Sequence, residues 1–409
     1  MRHMTGKERD WILYDVGNSA FVMLTATVIP IYFKNVAEGM GLSAADSTAW
    51  FSYASSLVTI LAAVLGPVLG AVADMKGFKK PVFACFMGAG ALGCAALSLP
   101  VGWMAFLGIY VFAKVGYQGS LTFYDSMLVD VTTEDRVDQI SSHGYAWGYI
   151  GSCIPFILSI LLVMKGEYVG LGGSRGMMAV FLLNALWWFL MTVPLLKSFE
   201  QVCYVERGGH PVRESFERLS GMVRDVWRDR KIFWFLLAFF FYIDGVYTII
   251  DMATSYGKDV GIPDAHLMLA LLLTQVVAFP CSILFGMLAE KADGGKLIRF
   301  SILGYLVIVL FAVRMSHAWE FWLLAVCVAV FQGGIQALSR SYFTRIIPKE
   351  RSAEYFGFYD IFGKGAAFMG TLMLGAATQL SGSSRTGIGL LSLLFAAGYL
   401  LFRKAERAV

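Results

Sequence analysis

Charged side chains are scarce in this sequence. Asp, Glu, Lys and Arg make up 15% of its 409 residues, against about 25% in soluble domains. With 57% of residues hydrophobic, that scarcity excludes an ordinary soluble enzyme and points to an integral membrane protein of many helices. Paired cysteines are missing too. Cys85, Cys94, Cys153, Cys203, Cys281 and Cys327 include no C-x-x-C. Five of them lie in apolar runs, so they read as small core residues, not as a disulfide or metal framework. There is no G-x-x-x-x-G-K-[ST], which argues against an ATP-driven pump, and no H-E-x-x-H or Cys/His cluster of a metalloenzyme. Neither an enzymatic activity nor a cofactor is expected, and no nucleic-acid partner. The polar start "MRHMTGKERD" lacks the form of a cleavable leader, so the first span is expected to target the membrane.

What is present is a series of apolar runs. A helix needs about 20 apolar residues to span a bilayer. Twelve runs qualify: 11–36, 49–73, 81–99, 103–128, 144–164, 177–196, 231–253, 266–289, 297–315, 319–339, 355–379 and 387–402. An even number of spans puts both termini on one side. The segments on that side hold 25 of the 33 Lys and Arg residues, the opposite segments hold 6, and Lys114 and Lys364 fall within spans. By the positive-inside rule both termini face the cytoplasm. The longest polar stretch, 197–230, contains "RESFERLSGMVRDVWRDR", which reads as an amphipathic surface helix. It divides the chain into an N-terminal six-helix half (1–196), a linker (197–230) and a C-terminal six-helix half (231–409).

The halves repeat. "GPVLGAVADMKGFKK" follows the second span and "FGMLAEKADGGK" the eighth, with Asp74 and Glu290 216 residues apart. "TTEDRVDQISSHGYAWGYIG" follows the fourth span and "IIPKERSAEYFGFYDIFGKG" the tenth, with Arg136 and Arg351 215 apart. Two matches at one offset indicate duplication. The expected fold is an all-α polytopic membrane protein: twelve transmembrane helices in two pseudo-symmetric halves, the arrangement of the major facilitator superfamily.

"GAVADMKGFKK" resembles that superfamily's loop between helices 2 and 3, G-x-L-A-D-R-x-G-R-K. Gly70, Ala73, Asp74, Gly77 and Lys79 match, while Met75 and Phe78 replace two arginines, which implies a weaker local charge lock. "LYDVGNSAF" is similar to the Y-D-W-A-N-S-A-[FY] of the vacuolar amino-acid effluxers associated with autophagy and their bacterial relatives. Tyr14, Asp15, Asn18, Ser19, Ala20 and Phe21 match; Val16 and Gly17 depart. "SSHGYAWGYIG", "FFFYIDGVYTII" and "QALSRSYFTRIIPKERSAEYFGFYD" are similar to further motifs of that family, so the resemblance spans both halves. It departs at "YDSMLVD", where Asp125 stands for an amide. The resemblance implies the facilitator fold and transport, and amino-acid substrates more weakly. It also implies that helices 1, 4, 7 and 10 line a central cavity.

An ionised side chain in the bilayer costs several kcal/mol, so each one marks a candidate function. From the span ends at 1.5 Å per residue, Lys114 lies roughly 16 Å deep, Asp244 roughly 20 Å and Lys364 roughly 15 Å, all near the midplane of a core about 30 Å thick. Helix 4 carries Lys114, Gln118 and Asp125, helix 7 carries Asp244, Thr248 and Asp251, and helix 10 carries Gln332 and Gln336. Each set is a polar stripe at helical spacing, either a substrate surface or a buried structural network. Lys114 and Asp244 are expected to suit the carboxylate and ammonium of a zwitterion, with Gln118, Thr248, Gln332 and Gln336 beside them. Asp15 is shallower, about 6 Å from the helix end. It reads as a capping or packing residue, or, with Asn18, as a cytoplasmic gate that pairs with Arg340 or Arg345. Asp74 and Glu290 are further gate candidates. Asp360 and Lys364, four apart in acid-first order, form a structural pair or a coupling pair.

The expectation is a monomeric secondary transporter in the plasma membrane, working by alternating access on a small solute. Amino acids or a similar zwitterion are the first choice, with protons as candidate coupling ion and the bilayer as the other partner. The rival on the same fold is a permease for an amphiphile, a lysolipid or a drug.

Overall fold

A backbone in lipid must satisfy its own N–H and C=O groups, and a continuous helix does so within one segment. The computed structural model describes residues 4–165, 168, 170–171, 173–206 and 221–408. Among the described residues twelve long helices follow in order: α1 Gly6–Gly39, α2 Ala44–Ala73, α3 Lys79–Ala96, α4 Trp103–Ser126, α5 Val137–Lys165, α6 Ser174–Ser198, α7 Arg230–Asp259, α8 Asp264–Ala289, α9 Gly294–Ala312, α10 Ala318–Ile346, α11 Ser352–Ser381 and α12 Ser384–Arg407. Each contains one expected span or most of it. Nine are long and apolar enough to cross a membrane; α3, α4 and α11 fall outside that set, and each interrupts its apolar run with glycines. Side-chain caps fix several starts. Thr5 and Glu8 close a capping box on α1, Ser43 caps α2 and Asp293 caps α9.

α1 is not uniform. Residues Leu24–Val28 widen into a π turn just before Pro30. Proline has no N–H for the carbonyl four residues back, and its ring crowds that turn, so the helix opens there. Pro67 and Pro280 sit inside the continuous helices α2 and α8.

The helices gather into two compact units. The first comprises Met1–Thr132, Trp147–Ser215 and Glu350–Gly357; the second comprises Thr133–Ala146, Phe216–Lys349 and Phe358–Val409. The units therefore depart from the sequence halves at two short segments. Within the first unit α3 packs on α4, α1 on α6, α2 on α4 and α3 on α6. Within the second, α9 packs on α10, α7 on α12, α8 on α10 and α9 on α12. The same four pairings recur six helices later, as duplication requires. Glycine permits the closest approach: a Cβ on Gly116 of α4 would lie 2.4 Å from the backbone nitrogen of Gly90 of α3. Of the expected surface helix in the linker, residues 207–220 lie outside the described residues. Residues 221–228 are helical, with Met222 and Val226 buried and Trp227 exposed.

Candidate functional site

The first unit holds a buried clasp around the turn between α2 and α3. Gly77 takes φ +79°, a conformation that favours glycine, and the turn brings Asp74 and Lys79 together. The Asp74 carboxylate accepts the backbone N–H groups of Ala353 and Glu354, each at 2.8 Å. These are unpaired amides of the first turn of α11, so Asp74 caps that helix from a distant segment and meets the positive end of its dipole. Lys79, fully buried, donates to Asp130 at 2.9 Å and to Ser352 at 2.9 Å, and lies 4.0 Å from Asp74. Burial pushes the Asp74 carboxyl up from the ordinary 3.8 to about 7, while Lys79 and the two amides pull the other way. Gly66 and Gly70 of α2 allow the approach. A Cβ on Gly70 would lie 2.5 Å from the Ala353 carbonyl oxygen.

A second cluster in this unit joins α1 to α4. The Tyr124 hydroxyl donates to Asp15 Oδ2 at 3.0 Å, and Asn18 Nδ2 donates to Asp15 Oδ1 at 3.2 Å and to the Tyr14 carbonyl at 3.1 Å. Tyr14 and Ser120 share a hydroxyl bond of 2.7 Å, and Trp11 stacks on Tyr124 with ring centres 4.3 Å apart. All six of these residues are buried. Deeper along α4, the half-buried Lys114 donates to Thr25 Oγ1 at 2.9 Å. Its ammonium lies 5.2 Å from the centre of the Tyr117 ring, within cation–π reach. Thr25 belongs to the π turn, so the widened turn of α1 holds the Lys114 ammonium. Gln118 Oε1 is buried and has no hydrogen-bond donor among the described residues.

In the second unit Asp244 of α7 is fully buried against α11. Its Oδ1 accepts the Gly370 N–H at 2.8 Å and lies 3.4 Å from the Thr248 hydroxyl. Its Oδ2 has no donor among the described residues. Tyr242 shares a 2.6 Å hydroxyl bond with Ser339 on α10, the counterpart of Tyr14 and Ser120. Arg340 is buried, donates to Ser141 Oγ and the Ser141 carbonyl at 2.9 Å each, and covers the Tyr145 ring at 4.5 Å. Arg345 pairs with Asp138 at 2.6 Å, and Ser341 donates to the same carboxylate. An apolar cavity of about 110 Å³ lies among Ile249, Tyr256, Leu271, Phe321 and Gln275, with Gln332 on its wall. Among the described residues no three His, Cys, Asp or Glu side chains gather as metal ligands.

Comparison with known proteins decides the family. The family model described as "Vacuole effluxer Atg22 like" matches residues 129–407, and YxiO of Bacillus subtilis, named an MFS-type transporter, is 43% identical over 98% of this chain and 95% of its own. The chain belongs to the Atg22-like family. Autophagy-related protein 22-1 of Penicillium rubens is 26% identical over 63% of this chain, and the match covers 47% of that longer protein. The fold matches the human organic anion transporter MFSD10 at TM-score 0.74, with 12% identity and coverage of 98% of this chain and 100% of that one. It also matches the E. coli fucose:proton symporter FucP at 0.73, with 14% identity and coverage of 98% and 97%. This Atg22-like chain is therefore a multi-pass membrane transporter of the major facilitator fold.

Several expected residues of this Atg22-like chain meet as their spacing suggested: Asp15 with Asn18, Asp244 with Thr248, and Gln336 with the Gln332 carbonyl at 3.1 Å. Asp74 and Glu290 are not equivalent, because Asp74 is buried in the clasp and Glu290 is exposed at the end of α8. Asp360 is half-buried, and the Lys364 side chain lies outside the described residues. Met75, in place of an arginine, is fully buried, and Lys79 carries the turn's charge against Asp130. Spacing did not reveal Lys79 with Asp130, Thr25 with Lys114, or the two Tyr–Ser bonds, each of which joins different helices. The π turn was readable in part, since Pro30 follows "LTATVI" directly.

Proposed function

We propose that this transporter moves an amino acid or similar zwitterion by alternating access in the plasma membrane, as a monomer with both termini cytoplasmic and protons as coupling ion. The Asp74 clasp carries the mechanistic part of this reading. It ties the turn after α2 to residues 352–354, which belong to the other half of the sequence. A contact of that kind exists in one state of a rocking carrier and biases the equilibrium by its differential energy. The distribution of Lys and Arg supports a clasp on the cytoplasmic side, where it closes that side. Lys114 supplies a cation for the substrate carboxylate. Asp244 has one oxygen held by Gly370 and one without a donor among the described residues, which suits a carboxyl that gains and loses a proton. Gln118, Thr248, Gln332 and Gln336 complete the polar stripes. Asp15, Asn18, Arg340, Asp360 and Lys364 serve gating or coupling, with Glu290 a weaker member because of its exposure.

A second reading, a permease for an amphiphile, is favoured by the apolar cavity beside Gln332. Uptake of radiolabelled amino acids against fluorescent lysolipid into proteoliposomes separates the two. Asp74→Ala should slow turnover several-fold without abolishing substrate binding. Unchanged turnover in that variant would count against the clasp as a gate.

A further inference from the structure

The segment after α6, residues 199–206, lies along the α2–α3 turn and satisfies its polar groups. Val205 pairs with Met75 in a parallel bridge. The Val205 N–H donates to the Asp74 carbonyl at 2.8 Å, and the Lys76 N–H donates to the Val205 carbonyl at 3.1 Å. The Gln201 carboxamide is inserted into the turn. Its Oε1 accepts the Gly77 N–H at 2.9 Å and the Lys79 N–H at 3.4 Å, and its Nε2 donates to the Ala73 carbonyl at 3.1 Å. One residue later the Val202 and Cys203 amides donate to Asp130 Oδ1 at 2.8 and 2.7 Å. Ion pairs hold the ends of the segment, Lys7 with Glu200 at 2.6 Å and Lys76 with Glu206 at 3.6 Å.

These contacts converge on the clasp. Asp130 gives one oxygen to the segment and the other to Lys79. Lys79 in turn reaches Ser352 and Asp74, and Asp74 caps α11. Gln201 grips the backbone on both sides of Gly77, between Asp74 and Lys79. A turn that contains a glycine at positive φ has more conformers to lose than other turns. A side chain that bonds both of its strands removes that freedom and sets the distance between the carboxylate and the ammonium.

We propose that Gln201 is a positioning residue for transport: it and the strap around it hold Asp74 and Lys79 in the register that closes the first turn of α11. The linker between the halves thereby acts on the clasp itself and is more than a tether. The proposal rests on the reading of the clasp as a gate.

The test measures amide hydrogen exchange on the full chain in nanodiscs, at residues 73–79 and at residues 350–357, together with turnover in proteoliposomes. Gln201→Ala is expected to speed exchange at both segments, about threefold or more at 350–357, and to lower turnover. Val205→Pro, which deletes the N–H given to the Asp74 carbonyl and restrains the strap backbone at 204–205, is expected to do the same to a smaller extent. Gln201→Asn, which keeps the carboxamide, should recover part of the protection. Faster exchange at 73–79 with unchanged exchange at 350–357 in both variants would overturn the proposal, since the strap would then order its own turn only. Global loss of protection in Gln201→Ala leaves the decision to Val205→Pro. Failure of the gate reading shows separately, as unchanged turnover in Asp74→Ala.

Discussion

Asp244 has two carboxyl oxygens in different situations, and its chemistry follows from the difference. A buried carboxylate with an unsatisfied oxygen is costly, and a proton on that oxygen removes the charge. Asp244→Asn keeps an acceptor for Gly370 and fixes the group as neutral. The expected outcome is loss of pH-dependent accumulation with counterflow exchange retained, measured in proteoliposomes with and without a proton gradient; full accumulation in that variant rules Asp244 out as proton carrier. Asp15 differs, because both of its oxygens have donors within its own unit. Asp15→Asn preserves at least one of those bonds and removes the charge. Substrate affinity should stay within a few-fold while cytoplasmic cysteine accessibility rises. A collapse in affinity at constant accessibility would place Asp15 in the binding site instead.

At the scale of elements, α2 is the helix whose surface decides the clasp. Gly66 and Gly70 leave a groove into which the start of α11 fits. A methyl group at Gly70 meets backbone, not a pliable side chain, and overpacking of that kind costs about 1–3 kcal/mol. Gly70→Ala should lower the clasped population about tenfold, read as faster labelling of cysteines placed in the turn. Wild-type labelling in Gly70→Ala would show that α2 yields without opening. The elements were the most legible part of the sequence. Apolar runs of about 20 residues found the twelve long helices among the described residues, and the repeat at 215–216 residues anticipated the paired packing. The charged turn after α2 was legible as well, because Asp74 and Gly77 sit in a compact motif. Gln201 was not: a glutamine in an irregular polar stretch has no period, and its value comes from backbone groups some 120 residues away. Asp130 was hidden for the same reason, since the partner that explains it, Lys79, lies on another helix.

For the whole molecule, duplication produced two matching sets of helix pairs but one buried clasp of this kind among the described residues. The Tyr14–Ser120 and Tyr242–Ser339 bonds kept the symmetry; Asp74 and Glu290 lost it. Where both halves had to do the same packing, pattern predicted structure; where their side-chain surroundings diverged, as at Asp74 and Glu290, it did not. The pH dependence follows from that asymmetry. In the clasped state Asp74 binds its proton up to about pH 7, whereas an exposed carboxyl releases it near 4. The clasped state therefore holds more protons between those values. Its advantage is fully present below about pH 4 and falls as pH rises through about 7. Cytoplasmic accessibility should rise between pH 5 and 8 in the wild type and stay flat in Asp74→Asn; a wild-type profile of the opposite slope would refute the assignment. On the proposed reading of the clasp as the cytoplasmic gate, this gives the carrier a default: a fall in internal pH tightens the latch, and the carrier stands shut toward an acid cytoplasm.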